Sequence, residues 1–264
     1  MSFMEENLEY YSQSNGLRDV NSYLKLVLGM GAILTCVVSP GPLAPLFILI
    51  TLSAITLVFA KIPARVYGEL LLIPLTFASF SVIVILFLSG GGPPILTFSI
   101  AGLPLTATTG SANLALLVLA RTFGGMCGLF FIALTTPMIE IFSVMHAMRV
   151  PPVLIDLSML IYHFIFVFIG QTIAIHNAQT IRQGYSSFRR SVNSMAMLGA
   201  MLFIRAWKEA EELIIAMDSR CYDGKLELPG HGNPPQPVAI VSTAGYLGLC
   251  IIVAIMTSTI VPFR

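Results

Sequence analysis

Five apolar runs constrain this chain more than any other feature. They lie at about 24–39, 43–60, 70–88, 112–135 and 238–261, each near the ~20 residues that a helix needs to cross a bilayer. Only 10% of the 264 residues are charged, 56% are hydrophobic and the mean hydropathy is +0.87. Soluble domains carry roughly 25% charged residues. Without lipid to solvate it, such a chain would precipitate. The expected fold class is an all-α polytopic membrane protein. It has about five transmembrane helices and three cytoplasmic helices. The net charge of +1 predicts no nucleic-acid partner.

The placement of charge orients the runs. Arg18 and Lys25 flank the first, and Lys61 and Arg65 follow the second. The loop 89–111 carries no charge, whereas eight of the fourteen Lys and Arg residues lie between 136 and 237. The positive-inside rule then predicts a cytoplasmic N-terminus, cytoplasmic 61–69 and 136–237, and an outer C-terminus, in the cell membrane. The polar, acidic start of the chain does not read as a cleaved signal peptide. The turn Ser39-Pro40-Gly41-Pro42 separates the first two runs. The segment 153–175 is apolar enough to span, but a crossing there would need a second one before 205. The sole candidate for that, 192–204, has about thirteen residues. Residues 153–183 therefore read as a long apolar helix within or beneath the bundle.

Three regions follow: 1–135 with four spans, 136–225 with the cytoplasmic helices, and 226–264 with a Pro/Gly linker and the last span. In the middle region, 137–149 reads as a short interfacial helix. Thr136 is its expected N-cap, with Glu140 near its start and Arg149 at its end. Residues 191–220 form a longer helix, apolar in its first half and charged in its second. Arg205–Glu209 and Lys208–Glu212 stand at i,i+4, where an ion pair contributes about 0.2–0.5 kcal/mol. Two helices thus end in arginine followed by turn residues, at Ile181-Arg182-Gln183-Gly184 and at Ser219-Arg220-Cys221-Tyr222. Such arginines can be simple cations at the negative end of a helix dipole. They can equally be anchors for a cytosolic protein, since the guanidinium fork engages carboxylates bidentately.

Several segments carry a family pattern in order. These are LRDVNSYLKL, the fourth run with Arg121 leading to Leu134-Thr135-Thr136-Pro137, Val150-Pro151, AQTIRQGY, and RAWKEAEELIIAMDSRCYDG. Over roughly 15–225 the sequence resembles the transmembrane T-component of energy-coupling factor (ECF) transporters, most closely the cobalt/nickel (CbiQ) branch. The resemblance implies that Arg182 and Arg220 are coupling arginines that dock into two cytosolic ATP-binding subunits. Arg205, Lys208, Glu209, Glu212 and Asp218 would support the second. It also implies a small integral-membrane substrate-binding subunit as partner, and cobalt or nickel as the transported ion. Two departures stand out. Cys221 replaces the usual glycine, and Gln171 and His163 stand where family members often carry Glu and Arg.

No G-x-x-x-x-G-K-[ST], G-x-S-x-G or H-E-x-x-H occurs, so the expectation is no catalytic residue and no cofactor in this chain, with ATP bound by partner subunits. The four histidines are scattered, and no metal site is expected. Cys36, Cys127 and Cys250 lie in apolar runs and read as small buried hydrophobes. Arg121 lies inside the fourth run as an intramembrane functional candidate. Its alternative role is to bond backbone carbonyls within the bundle. Gly124 and Gly128 beside it make a G-x-x-x-G. The competing readings are a self-sufficient secondary transporter or channel, which predicts internal repeats, and an intramembrane enzyme, which predicts clustered acids and histidines.

Overall fold

The computed structural model describes residues 11–18, 20–88, 93–100, 103–222, 224 and 236–257. Of the expected linker at 225–237, residues 225–235, with His231, lie outside the described residues, and Pro237 already begins the last helix. From Ser22 onward the elements follow in this order: α1 (Ser22–Val38), α2 (Leu43–Ala54), α3 (Ala64–Leu88), β1 (Pro94–Ile100), β2 (Leu103–Thr108), α4 (Thr109–Thr135), α5 (Met138–Ala147), α6 (Pro152–Ile181), α7 (Phe188–Ser219) and α8 (Pro237–Met256). A five-residue π-helix, Ile55–Phe59, prolongs α2. The chain divides into two compact units. One runs from Phe3 to Ile141 and resumes at His231; the other is Phe142–Gly230.

The all-α membrane architecture is as expected, and the spans differ in detail. Helices α3, α4, α6 and α8 are long and apolar enough to cross a bilayer. The stretches Ser22–Val38 and Leu43–Phe59 are seventeen residues each, at the short end of the spanning range. The segment 153–183, read from sequence as a long apolar helix within or beneath the bundle, forms one unbroken helix, Pro152–Ile181, whose thirty residues are also long and apolar enough to cross. Its length comes from the Pro152 start and a run free of internal proline. The uncharged loop 89–111 contains an antiparallel hairpin pairing Phe98 with Leu105 and Ile100 with Leu103. The runs PILTFSI and LPLTAT have the β-branched and aromatic content of strands.

In the first unit, α1 lies antiparallel to the second half of α4. A Cβ on Gly29 would come within 2.4 Å of Ile132 Cγ1, and one on Gly128 within 2.7 Å of Ile33 Cγ1. A Cβ on Gly124 would meet Cys36 Sγ at 2.7 Å and the Pro45 carbonyl at 2.8 Å. Both glycines of the G-x-x-x-G therefore face neighbouring helices at backbone range, as small residues in membrane interfaces do. Helix α8 joins α1 on its other side, where Gly31 faces Leu247. The core formed there holds Ile48, Leu52, Phe131 and Leu134 together with Cys36, Cys127 and Cys250. These three cysteines are fully buried.

In the second unit, α6 and α7 form an antiparallel pair. Three hydrogen bonds set the register: Gln179 Nε2 donates to the Ser194 carbonyl (3.0 Å), Gln171 Nε2 to Glu209 Oε1 (2.6 Å), and Tyr222 OH to Asp156 Oδ2 (3.5 Å).

Candidate functional site

Each candidate arginine is the C-cap of a long helix, and the two helix ends are closed in the same way. At the end of α6, Gln183 N–H donates to the Thr180 carbonyl (3.0 Å) and Gly184 N–H to the Gln179 carbonyl (2.8 Å). At the end of α7, Cys221 N–H donates to the Asp218 carbonyl (3.1 Å) and Tyr222 N–H to the Met217 carbonyl (3.1 Å). Both are Schellman closures, which satisfy carbonyls that a helix end leaves open. Each requires a left-handed residue immediately after the arginine, and Gln183 (φ 55°) and Cys221 (φ 56°) supply it. Helix α5 ends likewise, with Arg149 at φ 61° and Val150 N–H bonded to the Met145 carbonyl (3.2 Å). The closure turns the chain sharply and leaves Arg182 and Arg220 exposed.

A left-handed non-glycine residue costs about 1 kcal/mol relative to glycine. Cys221→Gly should therefore stabilise the second tip by about 1 kcal/mol, and Cys221→Ala should not. Thermal unfolding of the two purified variants in detergent checks this. A lower midpoint for the glycine variant would show that the thiol makes a contact worth more than the strain.

The first tip is held by a polar network. Tyr185 OH donates to Gln179 Oε1 (2.8 Å) and lies 3.0 Å from His176 Nδ1. Ser194 Oγ donates to the Gly184 carbonyl (3.0 Å). A Cβ on Gly184 would come within 2.6 Å of Ser194 Oγ, so the glycine of AQTIRQGY is required by close approach. Ile181 and Phe188 flank the tip, 83% and 88% exposed. The antiparallel pairing puts the tips at opposite ends of α6. Tyr222, beside the second tip, meets Asp156, so the 26 residues from Asp156 to Arg182, at about 1.5 Å each, separate the tips by roughly 40 Å.

The charged half of α7 does not pair within itself as its spacing predicts. Among the described residues the ion pairs are Lys25–Glu140 and Arg65–Glu69. Arg205–Glu209 and Lys208–Glu212 are not formed. Glu209 instead accepts from Gln171 across the helix pair, a half-buried charge-assisted bond stronger than an exposed i,i+4 pair. Glu211 accepts from Trp207 Nε1 (2.9 Å). Arg205, Lys208, Glu212 and Asp218 are exposed. No residue of α7 is buried, and Met195, Met197, Phe203, Trp207 and Ile215 are largely exposed.

Arg121 Nη2 donates to the Ser39 carbonyl (2.5 Å), the C-cap of α1, while its Nε is buried without a partner. This is the carbonyl-bonding arrangement foreseen as its alternative role. Gly41, two residues beyond Ser39, lies against the Thr257 carbonyl at the end of α8. Arg121 is therefore level with the ends of α1 and α8, although it is mid-way along α4. A guanidinium there also complements the negative end of the α1 dipole.

Sequence reasoning missed a buried polar cluster at the opposite end of α1. Lys25, 2% exposed, donates to the Thr135 carbonyl (3.2 Å) and lies 3.8 Å from Glu140 Oε2. Ser22 Oγ donates to the same carboxylate oxygen. Asn15 Nδ2 donates to the Thr135 carbonyl (3.2 Å) as well. Thr136 does not cap α5. Its backbone is extended and its Oγ1 is buried without a partner. The Pro137 carbonyl accepts the first α5 bonds, from Glu140 and Ile141.

A multi-pass helical membrane protein with an exposed, arginine-tipped helix pair is a membrane component rather than a soluble binding module. The family model described as "Cobalt transport protein" (CbiQ) matches residues 13–229, and the chain belongs to the CbiQ family. It is 47% identical over 242 residues to a fused cobalt transport protein CbiMQ of Methanocorpusculum labreanum, covering 90% of this chain and 40% of that relative. It is 36% identical to an uncharacterized protein of Methanocaldococcus jannaschii, covering 86% and 85%. It is 29% identical to the cobalt transport protein CbiQ of Rhodobacter capsulatus, covering 77% and 79%. The chain thus spans less than half of the fused relative but most of the other two.

Proposed function

We propose that this chain is the transmembrane scaffold and coupling subunit of an ECF-type importer for cobalt or nickel. It carries no ATP site of its own and performs no catalysis. Two cytosolic ATP-binding subunits approach on ATP binding and separate after hydrolysis. The arginine-tipped helices ride on them and reorient a small substrate-binding membrane subunit. The observation that carries this reading is the pair of matched tips, Arg182 and Arg220, exposed on identical closures roughly 40 Å apart. That separation suits two docking sites on two subunits rather than one shared cradle. The unpartnered apolar sides of α6 and α7 supply a surface for the membrane subunit. Fusion of CbiM and CbiQ in the Methanocorpusculum relative supports a partner held close to such a chain. Movement is transmitted only if docking is stronger in one nucleotide state than in the other.

The first test is co-purification in detergent with the candidate ATP-binding subunits. We expect stoichiometric retention by the wild-type chain. A well-folded chain that retains none would favour a self-sufficient transporter instead.

A further inference from the structure

The covalent path from one unit to the other runs through α5, between Ile141 and Phe142. The return path passes through KLELPGHGNPPQ, rich in proline and glycine. Just before the boundary, α4 and α5 are separated by an extended Thr136 and by Pro137, whose missing N–H breaks helical continuity. A break of this kind is a natural pivot. Here one ammonium bridges it. Lys25 reaches the last carbonyl of α4 and the carboxylate in the first turn of α5 together. Asn15 reinforces the first contact and Ser22 the second.

A buried ion pair adds little net stability over apolar residues of the same size. Its distinct property is direction, because a carboxylate held by an ammonium and a hydroxyl has one preferred position, whereas an apolar contact can slide. We propose that Lys25 and Glu140 are a positioning pair for coupling. They lock the α4–α5 pivot, so that movement of α6 and α7 is passed to the membrane helices instead of being absorbed at Thr136-Pro137. This rests on the coupling role proposed above.

The test uses the complete complex in proteoliposomes, with Co²⁺ uptake and ATP hydrolysis measured in the same vesicles. Glu140→Gln keeps the side-chain shape and an acceptor for Ser22 but removes the carboxylate charge from the Lys25–Glu140 pair. We expect an assembled complex that hydrolyses ATP within about twofold of wild type, while Co²⁺ taken up per ATP falls about tenfold. Ser22→Ala removes only the second contact to the carboxylate. It should lower the same ratio less, and it gives a reading if Glu140→Gln fails to assemble. An unchanged uptake-to-hydrolysis ratio in either assembled variant would overturn the proposal and leave the pair a merely structural one. A wild-type chain that does not hold the ATP-binding subunits would instead sink the coupling reading, and this proposal with it.

Discussion

Replacing Arg182 and Arg220 together with alanine should abolish retention of the proposed ATP-binding subunits, while either single replacement should leave a partial complex. The expectation follows from the geometry of the tips. Each arginine is exposed at the end of its own helix, and the two are too far apart for one groove to hold both. Truncating an interface arginine that serves as an anchor costs about 2–4 kcal/mol, roughly 30- to 1,000-fold in affinity. Losing one anchor weakens one subunit, and losing both leaves none. Lysine replacements should be intermediate, since they keep the charge and lose the planar fork. Arg189→Ala is the control, because Arg189 is exposed beside the first tip but does not cap a helix. The same variants decide between docking and simple dipole stabilisation. An arginine that only complements a helix end contributes about 0.3–1 kcal/mol. In that case every variant would retain the subunits and melt slightly earlier. On the docking reading the melting changes are as small, and retention is lost.

What the sequence made legible was whatever repeats locally. The apolar runs announced the helices, and the two arginine-then-turn endings singled out the tips. The left-handed closures at Gln183 and Cys221 were not foreseen, because neither residue type advertises a positive φ. For Cys221 the departure from glycine was the only hint. Lys25 and Glu140 are 115 positions apart, and each had a sufficient local explanation, one as a flanking cation and the other as a helix-start acid. Nothing local could show that they meet. The bond from Arg121 to the Ser39 carbonyl was one of the two roles open to it from sequence, and only the chain's folding shows which carbonyl it reaches. The Arg205–Glu209 pair on α7 is not formed because Glu209 has a better partner on another helix. The long apolar helix expected over 153–183 is formed as Pro152–Ile181, set by its proline start and its uninterrupted run.

Gly124→Val should be severely destabilising, while Gly125→Val, one residue along the same helix, should be nearly silent. A Cβ at 124 would press on Cys36 Sγ and on the backbone carbonyl of Pro45, the latter in the first turn of α2. The cysteine could rotate, but a carbonyl that is part of a helix backbone cannot yield without moving α2. Both valine methyls would add to the overlap, and overpacking of this kind costs about 1–3 kcal/mol or more. A Cβ at 125 meets nothing within 4 Å. The two variants share the same change in helix propensity and hydrophobicity, so any difference between them isolates packing at the α1–α2–α4 junction. Thermal unfolding in detergent, with the yield of monodisperse protein, makes the comparison. We expect a loss of about 2–3 kcal/mol at position 124 and less than about 0.5 kcal/mol at 125. Equal effects would mean that the close approach of the three helices is not what fixes this part of the membrane core. The same junction carries the Arg121–Ser39 bond at the tip of α1. A pushed-apart α2 would therefore also loosen the turn on which that arginine depends.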